Sequence, residues 1–355
     1  MLDIDFYMKS YDFMKKVQTG KIKDRKATFD FLESIRNKDP IVYNIETTNA
    51  CNMRCEMCPR TTMMTRPIKT MSKELFSDIV SQLKPHTKEK WAEWEAFVQK
   101  TYGIKPNDMS ENHFFLYIIP KVIQLHGYGD PLLDKNMGAN VRMLTDNHLY
   151  SYFSCNPANI NIEKTIEMFE NGLSYIKYSI ESVNDERHKA IRGNASNFTK
   201  SYEKILKILD IKKERGLETV IVITMLDLNK TWQKEDFSKL KQLFEGKDVY
   251  IYMKSEDQQW YREDYHGTNS VHWSELCRHP WMSMTIKSDG EAAMCMEDFN
   301  NEIVLGDVTK ESLHDIWNGK LYDKFRRDHV YLTDKGIKCI KRCDMKMFGE
   351  MMPDE

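Results

Sequence analysis

The sequence predicts an α/β fold built on a parallel sheet, with a smaller unit behind it. Three observations carry this. Six short apolar runs recur between residues 41 and 253, and helical stretches lie between them. Strand–helix alternation of this kind calls for parallel pairing through right-handed crossovers. The 355 residues are enough for one large domain with a small one attached. Periodicity alone does not say whether the sheet is open or curved into a barrel.

The elements follow in order. Residues 1–40 read as helix, with Phe6, Tyr7, Phe13, Met14 and Val17, then Phe29, Phe31, Leu32 and Ile35, and form a cap on the main domain, 41–255. The first strand runs from Ile41 to Glu46. Ser72 can cap a helix reaching about Lys84. Residues 86–118 then break the rhythm as an insertion, with Trp91, Trp94, Phe97 and Val98 at helical spacing. Such a segment serves as a lid, a contact surface or decoration, and a lid over the site is the reading carried forward. Strands follow at 122–125, 150–153, 175–179, 219–225 and 249–253. Helices fall near 136–147, 162–171, 199–215 and 234–244, the third of these stopping at Gly216. In the C-terminal unit, 256–355, Trp281 to Ile286, the turn Ser288-Asp289-Gly290, and Ala292 to Met294 read as a β-hairpin.

Totals narrow the function. The net charge is −2, with no basic excess to suggest nucleic acid or an anionic membrane surface. There is no signal-peptide pattern at the start and no apolar run of about 18 residues to span a membrane. A cytoplasmic protein is expected. Eight cysteines, clustered, read as metal-binding in a reduced chain. The 22 methionines read as core filling.

Cys51, Cys55 and Cys58 fall within eight residues on the loop leaving the first strand. Three thiolates are too few for a structural zinc, which takes four ligands, and too few for an ordinary iron–sulfur cube. A cube held by three cysteines keeps one iron open to a small molecule. Read without that open position, the stretch is a zinc knuckle. The stretch resembles the cluster loop of the radical S-adenosylmethionine (SAM) superfamily.

That resemblance implies a partial (β/α)6 TIM-like barrel and a SAM molecule chelated at the open iron. It also implies an electron donor such as a flavodoxin or ferredoxin. Met57 matches the position lying against the adenine. His126-Gly127-Tyr128-Gly129-Asp130-Pro131 resembles the stretch whose backbone receives the SAM ammonium, with Tyr128 where the family has glycine and Asp130 where it has glutamate. Asn156 falls in the place of the family's polar turn after the third strand. Ser179, Glu181 and Arg192 follow the fourth strand, where relatives contact the SAM ribose and carboxylate. An Arg fork suits a carboxylate; a surface ion pair is the plainer reading of Glu181 and Arg192. Cys155 is either a small buried apolar residue or a thiol that donates hydrogen to a substrate radical. Lys254, Glu256 and Asp257, past the sixth strand, are placed to line the substrate end.

A second set is more diagnostic. Cys277 is followed after twelve residues by Gly290 and after four more by Cys295, and then, after a gap of 43 residues, come Cys339 and Cys343. With Leu305-Gly306-Asp307-Val308 and Trp317-Asn318, this resembles the SPASM or twitch extension of radical SAM enzymes, a small α+β unit. Four cysteines complete one auxiliary [4Fe–4S] cluster; a four-cysteine zinc site is the alternative. The resemblance then implies two cubes and SAM. Reductive cleavage of SAM yields a 5′-deoxyadenosyl radical that takes a hydrogen atom from substrate. The leading expectation is oxidation of a small polyol or amino sugar, with the auxiliary cluster accepting an electron. The others are modification of a peptide, epimerisation through Cys155, and a structural iron–sulfur or zinc protein.

Overall fold

A computed structural model of the protein describes residues 1–255 and 276–331. Six parallel strands are β1 (Val42–Ile45), β2 (Val122–Gln124), β3 (Tyr150–Cys155), β4 (Tyr175–Ser179), β5 (Val220–Leu226) and β6 (Tyr250–Lys254). Each lies beside its neighbour in sequence, so their carboxyl ends share one edge. The sheet continues past β1 into β7 (Met284–Ile286), β8 (Glu291–Ala293) and β9 (Val304–Asp307). β7 is parallel to β1, whereas β8 pairs antiparallel with both β7 and β9.

Alternation along each strand splits the core in two. Ile45, Ile123, Phe153, Ile176 and Ile223 pack with Phe76, Val141, Ile166, Ile205 and Leu240 of the crossover helices. Tyr43, Val122, Tyr152, Val222 and Tyr252 pack on the other face with Phe6, Trp94 and Phe114. The Phe114 ring lies 5.4 Å from Tyr152 on β3 and 5.4 Å from Tyr252 on β6. In a flat sheet those strands stand about 14 Å apart, so one ring reaches both only because the sheet curls. This is the open, partial barrel.

Local chemistry sets the helix limits. Ser72 Oγ accepts from the Leu75 amide at 3.1 Å and starts the helix Lys73–Ser81. Gly216, at φ +62°, ends Phe198–Arg215. Three elements differ from the sequence reading. Trp281 belongs to a helical turn, His279–Met282, so β7 begins only at Met284. The short helix Asp185–Arg192 was not anticipated; its residues are mostly charged and carry no apolar stripe. Residues 86–118, expected as a lid, supply none of the residues that line the cavity at the carboxyl edge and pack beneath it instead. Their helix Lys88–Tyr102 packs on the helix Ile4–Gln18, with Trp94 and Phe97 against Tyr7. The π-helical turn Phe114–Ile118 fills the barrel interior.

Candidate active site

The loop leaving β1 carries Cys51, Cys55 and Cys58 into one cavity of about 310 Å³ at the carboxyl edge of the sheet. The loop is pinned from outside: the Arg54 amide donates to the Arg192 carbonyl (3.0 Å) and the Glu56 amide to that of Ile191 (2.9 Å). The helix Asp185–Arg192 therefore serves as a brace for the thiols. Met53, Cys55, Met57 and Ile191 close an apolar wall. Burial raises the Cys51 thiol and pushes Cys58 up to about 12. A thiol that becomes a metal ligand there expels its proton.

The second wall is 126–131. Its two glycines are imposed by close approach: a β-carbon at 127 would stand 2.3 Å from Glu46 Oε2, and one at 129 only 2.1 Å from the Thr48 carbonyl oxygen. His126 Nδ1 accepts from the Ser154 amide (3.2 Å), which leaves the ring proton on Nε2. Asp130, 3% exposed, accepts from the amides of Leu132 and Asn156 and from the Asn159 side chain. It ties the loops after β2 and β3. Asn156 Nδ2 donates to Ser196 Oγ (3.1 Å), and Ser196 pairs with His188 Nε2 (2.9 Å).

The expected residues largely converge. Met57, Tyr128, Gly129, Asp130, Cys155, Asn156, Ser179, Arg192 and Lys254 line the same cavity as the three thiols. Glu181 does not line it. Fully buried, it binds Arg192 Nη2 with one oxygen and accepts the Leu226 amide (2.7 Å) with the other. Arg192 Nη1 reaches Cys55 Sγ at 3.5 Å, and its Nε is buried with no acceptor. The Cys155 thiol donates to the Lys177 carbonyl (3.7 Å) within the outer apolar core, and burial holds it well above the ordinary thiol range. Met296 and Glu297 also line the cavity and were not anticipated, and His126, which opens the glycine stretch without having been singled out, lines it with them. His126 looked like part of a turn; the other two arrive only through the tertiary fold.

Cys277 and Cys295 are partly buried, and burial pushes their thiols up to about 11 and about 12. Each sulfur accepts the amide two residues on, from His279 and Glu297, both at 3.3 Å, as Cys51 accepts that of Met53 at 3.4 Å. Such bonds suit a thiolate and are among the factors that set a cluster's potential. Cys339, Cys343, Glu256 and Asp257 lie outside the described residues. Among the described residues, no three His, Cys, Asp or Glu side chains converge as for a single metal ion. A cube binds its cysteines on different irons and asks for wider spacing. Three thiols on one cavity, backbone approach at Gly129 and an Arg nitrogen lacking an acceptor fit a three-cysteine cluster with a carboxylate-bearing ligand.

The radical SAM superfamily model matches residues 45–240, and the SPASM model, an iron–sulfur cluster-binding domain, matches 277–344. No curated protein matches the chain. Solved structures share its fold. BtrN in complex with AdoMet and 2-DOIA is 15% identical over 86% of this chain and 95% of that one, at a TM-score of 0.50. Streptococcus suis SuiB bound to S-adenosylmethionine is 13% identical over 89% and 79%, also at 0.50. The anSMEcpe structure with bound AdoMet is 12% identical over 86% of each chain, at 0.51. No helix among the described residues is long and apolar enough to cross a membrane. The two domain matches imply SAM and two iron–sulfur clusters as cofactors, and with more than half its length under the first of them the chain belongs to the radical SAM superfamily and carries a SPASM domain.

Proposed function

We propose that the protein is an oxidoreductase that dehydrogenates a small polyol or amino sugar, passing one electron to an auxiliary cluster. Cys51, Cys55 and Cys58 hold the first cluster, and Cys277, Cys295, Cys339 and Cys343 hold the second. The division into 1–40, 41–255 and 256–355 belongs to the same proposal. The observation that carries it is the cavity wall: Met296 and Glu297, next to Cys295, face the chamber of the three thiols. A cluster held by Cys295 would supply an electron acceptor next to that wall.

SAM on the reduced first cluster supplies the radical that removes a hydrogen atom from substrate. The chain's residues do the rest. Arg192, steadied by Glu181, binds the SAM carboxylate, and the 127–129 backbone receives its ammonium. Met57 packs the adenine. Oxidation of an alcohol also releases a proton and an electron. Glu297, whose carboxylate accepts from Tyr128 Oη at 3.0 Å, takes the proton, and a cluster held by Cys277, Cys295, Cys339 and Cys343 would supply the acceptor for the electron. Phe114 and Tyr152 close the barrel beneath His126, which keeps water from below and favours a small substrate. Cys155, turned to a carbonyl in the apolar core, fits packing better than hydrogen donation.

Anaerobic reconstitution should give about eight iron atoms per chain, from two cubes. Offered aminocyclitols and polyols, the protein should yield the ketone, and Cys295→Ala should keep SAM cleavage while losing the ketone. Zinc in place of iron, or undiminished ketone from Cys295→Ala, would remove the basis for the reading.

A further inference from the structure

Glu46 is the last residue of the extended run that feeds the thiol loop, and its side chain is fully buried. Arg66 Nη2 donates to both carboxylate oxygens, at 2.8 and 2.9 Å. Three further donors converge on it: the Tyr128 amide at 3.1 Å, the Ser288 amide at 3.3 Å and Ser288 Oγ at 3.0 Å. Burial by itself would raise this carboxyl, but the Lys287 and Arg66 cations hold it below the usual range. The two cations carry the connection onward. Arg66 Nε donates to the Phe299 carbonyl (2.8 Å), and Lys287 Nζ donates to that of Met296 (2.9 Å) while lying over the Tyr128 ring.

One carboxylate thus reaches two places. On one side it fixes the amide of Tyr128 in the cavity wall and, by filling the space beside residue 127, compels glycine there. On the other it neutralises the pair of cations that hold the segment Met296–Phe299, immediately after Cys295. A buried charge of this kind is costly unless fully partnered, so its geometry admits little slack. We infer that Glu46 is a positioning residue that couples the SAM-receiving wall to the auxiliary-cluster segment, acting through Tyr128 on one side and through Arg66 and Lys287 on the other. The inference rests on the cluster assignments proposed above.

The test uses the full chain, anaerobically reconstituted, with SAM as the probe. In the unmutated protein, SAM should change the paramagnetic signal of the first cluster, and the second should titrate separately. Absence of either would remove the cluster assignments and this inference with them. Glu46→Gln keeps the shape and removes the charge. It should keep the iron and weaken SAM by about tenfold, the loss expected of one charge-assisted hydrogen bond. The auxiliary potential should shift upward, since Arg66 and Lys287 lose one of their counter-charges while Asp289, 3.8 Å from Arg66, and Asp298 remain. Lys287→Met should shift that potential downward while SAM affinity stays within about twofold. Wild-type SAM affinity and potential in Glu46→Gln would overturn the coupling and leave the cluster assignments standing. Should Glu46→Gln lose its iron, Ser288→Ala decides: a smaller paired shift supports the coupling, and no shift overturns it.

Discussion

Gly129 lies against the main chain of Thr48, where a β-carbon would stand 2.1 Å from the carbonyl oxygen. The Asp130 amide then donates to the Ala50 carbonyl at 2.8 Å. The loop after β2 is pressed onto the segment between β1 and the thiols, and backbone cannot yield as a flexible side chain would. Gly129→Ala should separate the two segments, costing about 1–3 kcal/mol as overpacking does. SAM affinity should fall by more than about tenfold while the circular dichroism spectrum is retained. Binding equal to that of the parent protein would show that the wall does not receive SAM.

Arg192 and Glu181 form a buried pair, at 15% and 0% side-chain exposure. Removing one member strands the other. Arg192→Met should lower stability by about 3–5 kcal/mol in denaturant unfolding and should weaken SAM binding. Adding Glu181→Gln should recover part of the stability but not the SAM affinity. Additive stability losses would mean the two side chains are energetically independent.

Five histidines set an acid limit. Burial pushes His126 and His279 down to about 3, and His86, His188 and His329 down to about 4. Below the ordinary value near 6.5 the unfolded chain binds protons that the folded chain refuses. Their contribution is therefore complete above pH 6.5 and is lost as the pH falls toward 4. Each adds a slope of about 1.4 kcal/mol per pH unit between those limits. The denaturation midpoint should drop from pH 7 to pH 5, and the drop should be smaller for His188→Gln. A midpoint that does not move over that interval would contradict the burial of these rings.

Cys155 donates to the Lys177 carbonyl from within the outer core. Cys155→Ala should cost about 1 kcal/mol as a small buried deletion and leave product formation in place. Product from the parent chain in D2O should carry no solvent deuterium at the reacting carbon. Deuterium there, abolished by Cys155→Ala, would establish epimerisation.

The chain's local signals determined much of this protein. Short apolar runs alternating with amphipathic ones specify parallel crossovers, and Ser72 and Gly216 mark helix ends by local hydrogen bonding and backbone freedom. The spacing of Cys51, Cys55 and Cys58 specifies a three-thiol centre because it lies within one loop. The tertiary structure decided what depends on distant partners. Glu46 reads as one more strand residue until Arg66, Tyr128, Lys287 and Ser288 gather on it. Residues 86–118 read as a lid because their aromatic content says that they bury, but not against what. Phe114 finds Tyr152 and Tyr252 only once the sheet has curled. Periodicity fixes which face of a segment turns away from water; which neighbour receives that face is set by contacts between residues far apart in sequence, and no local pattern encodes them.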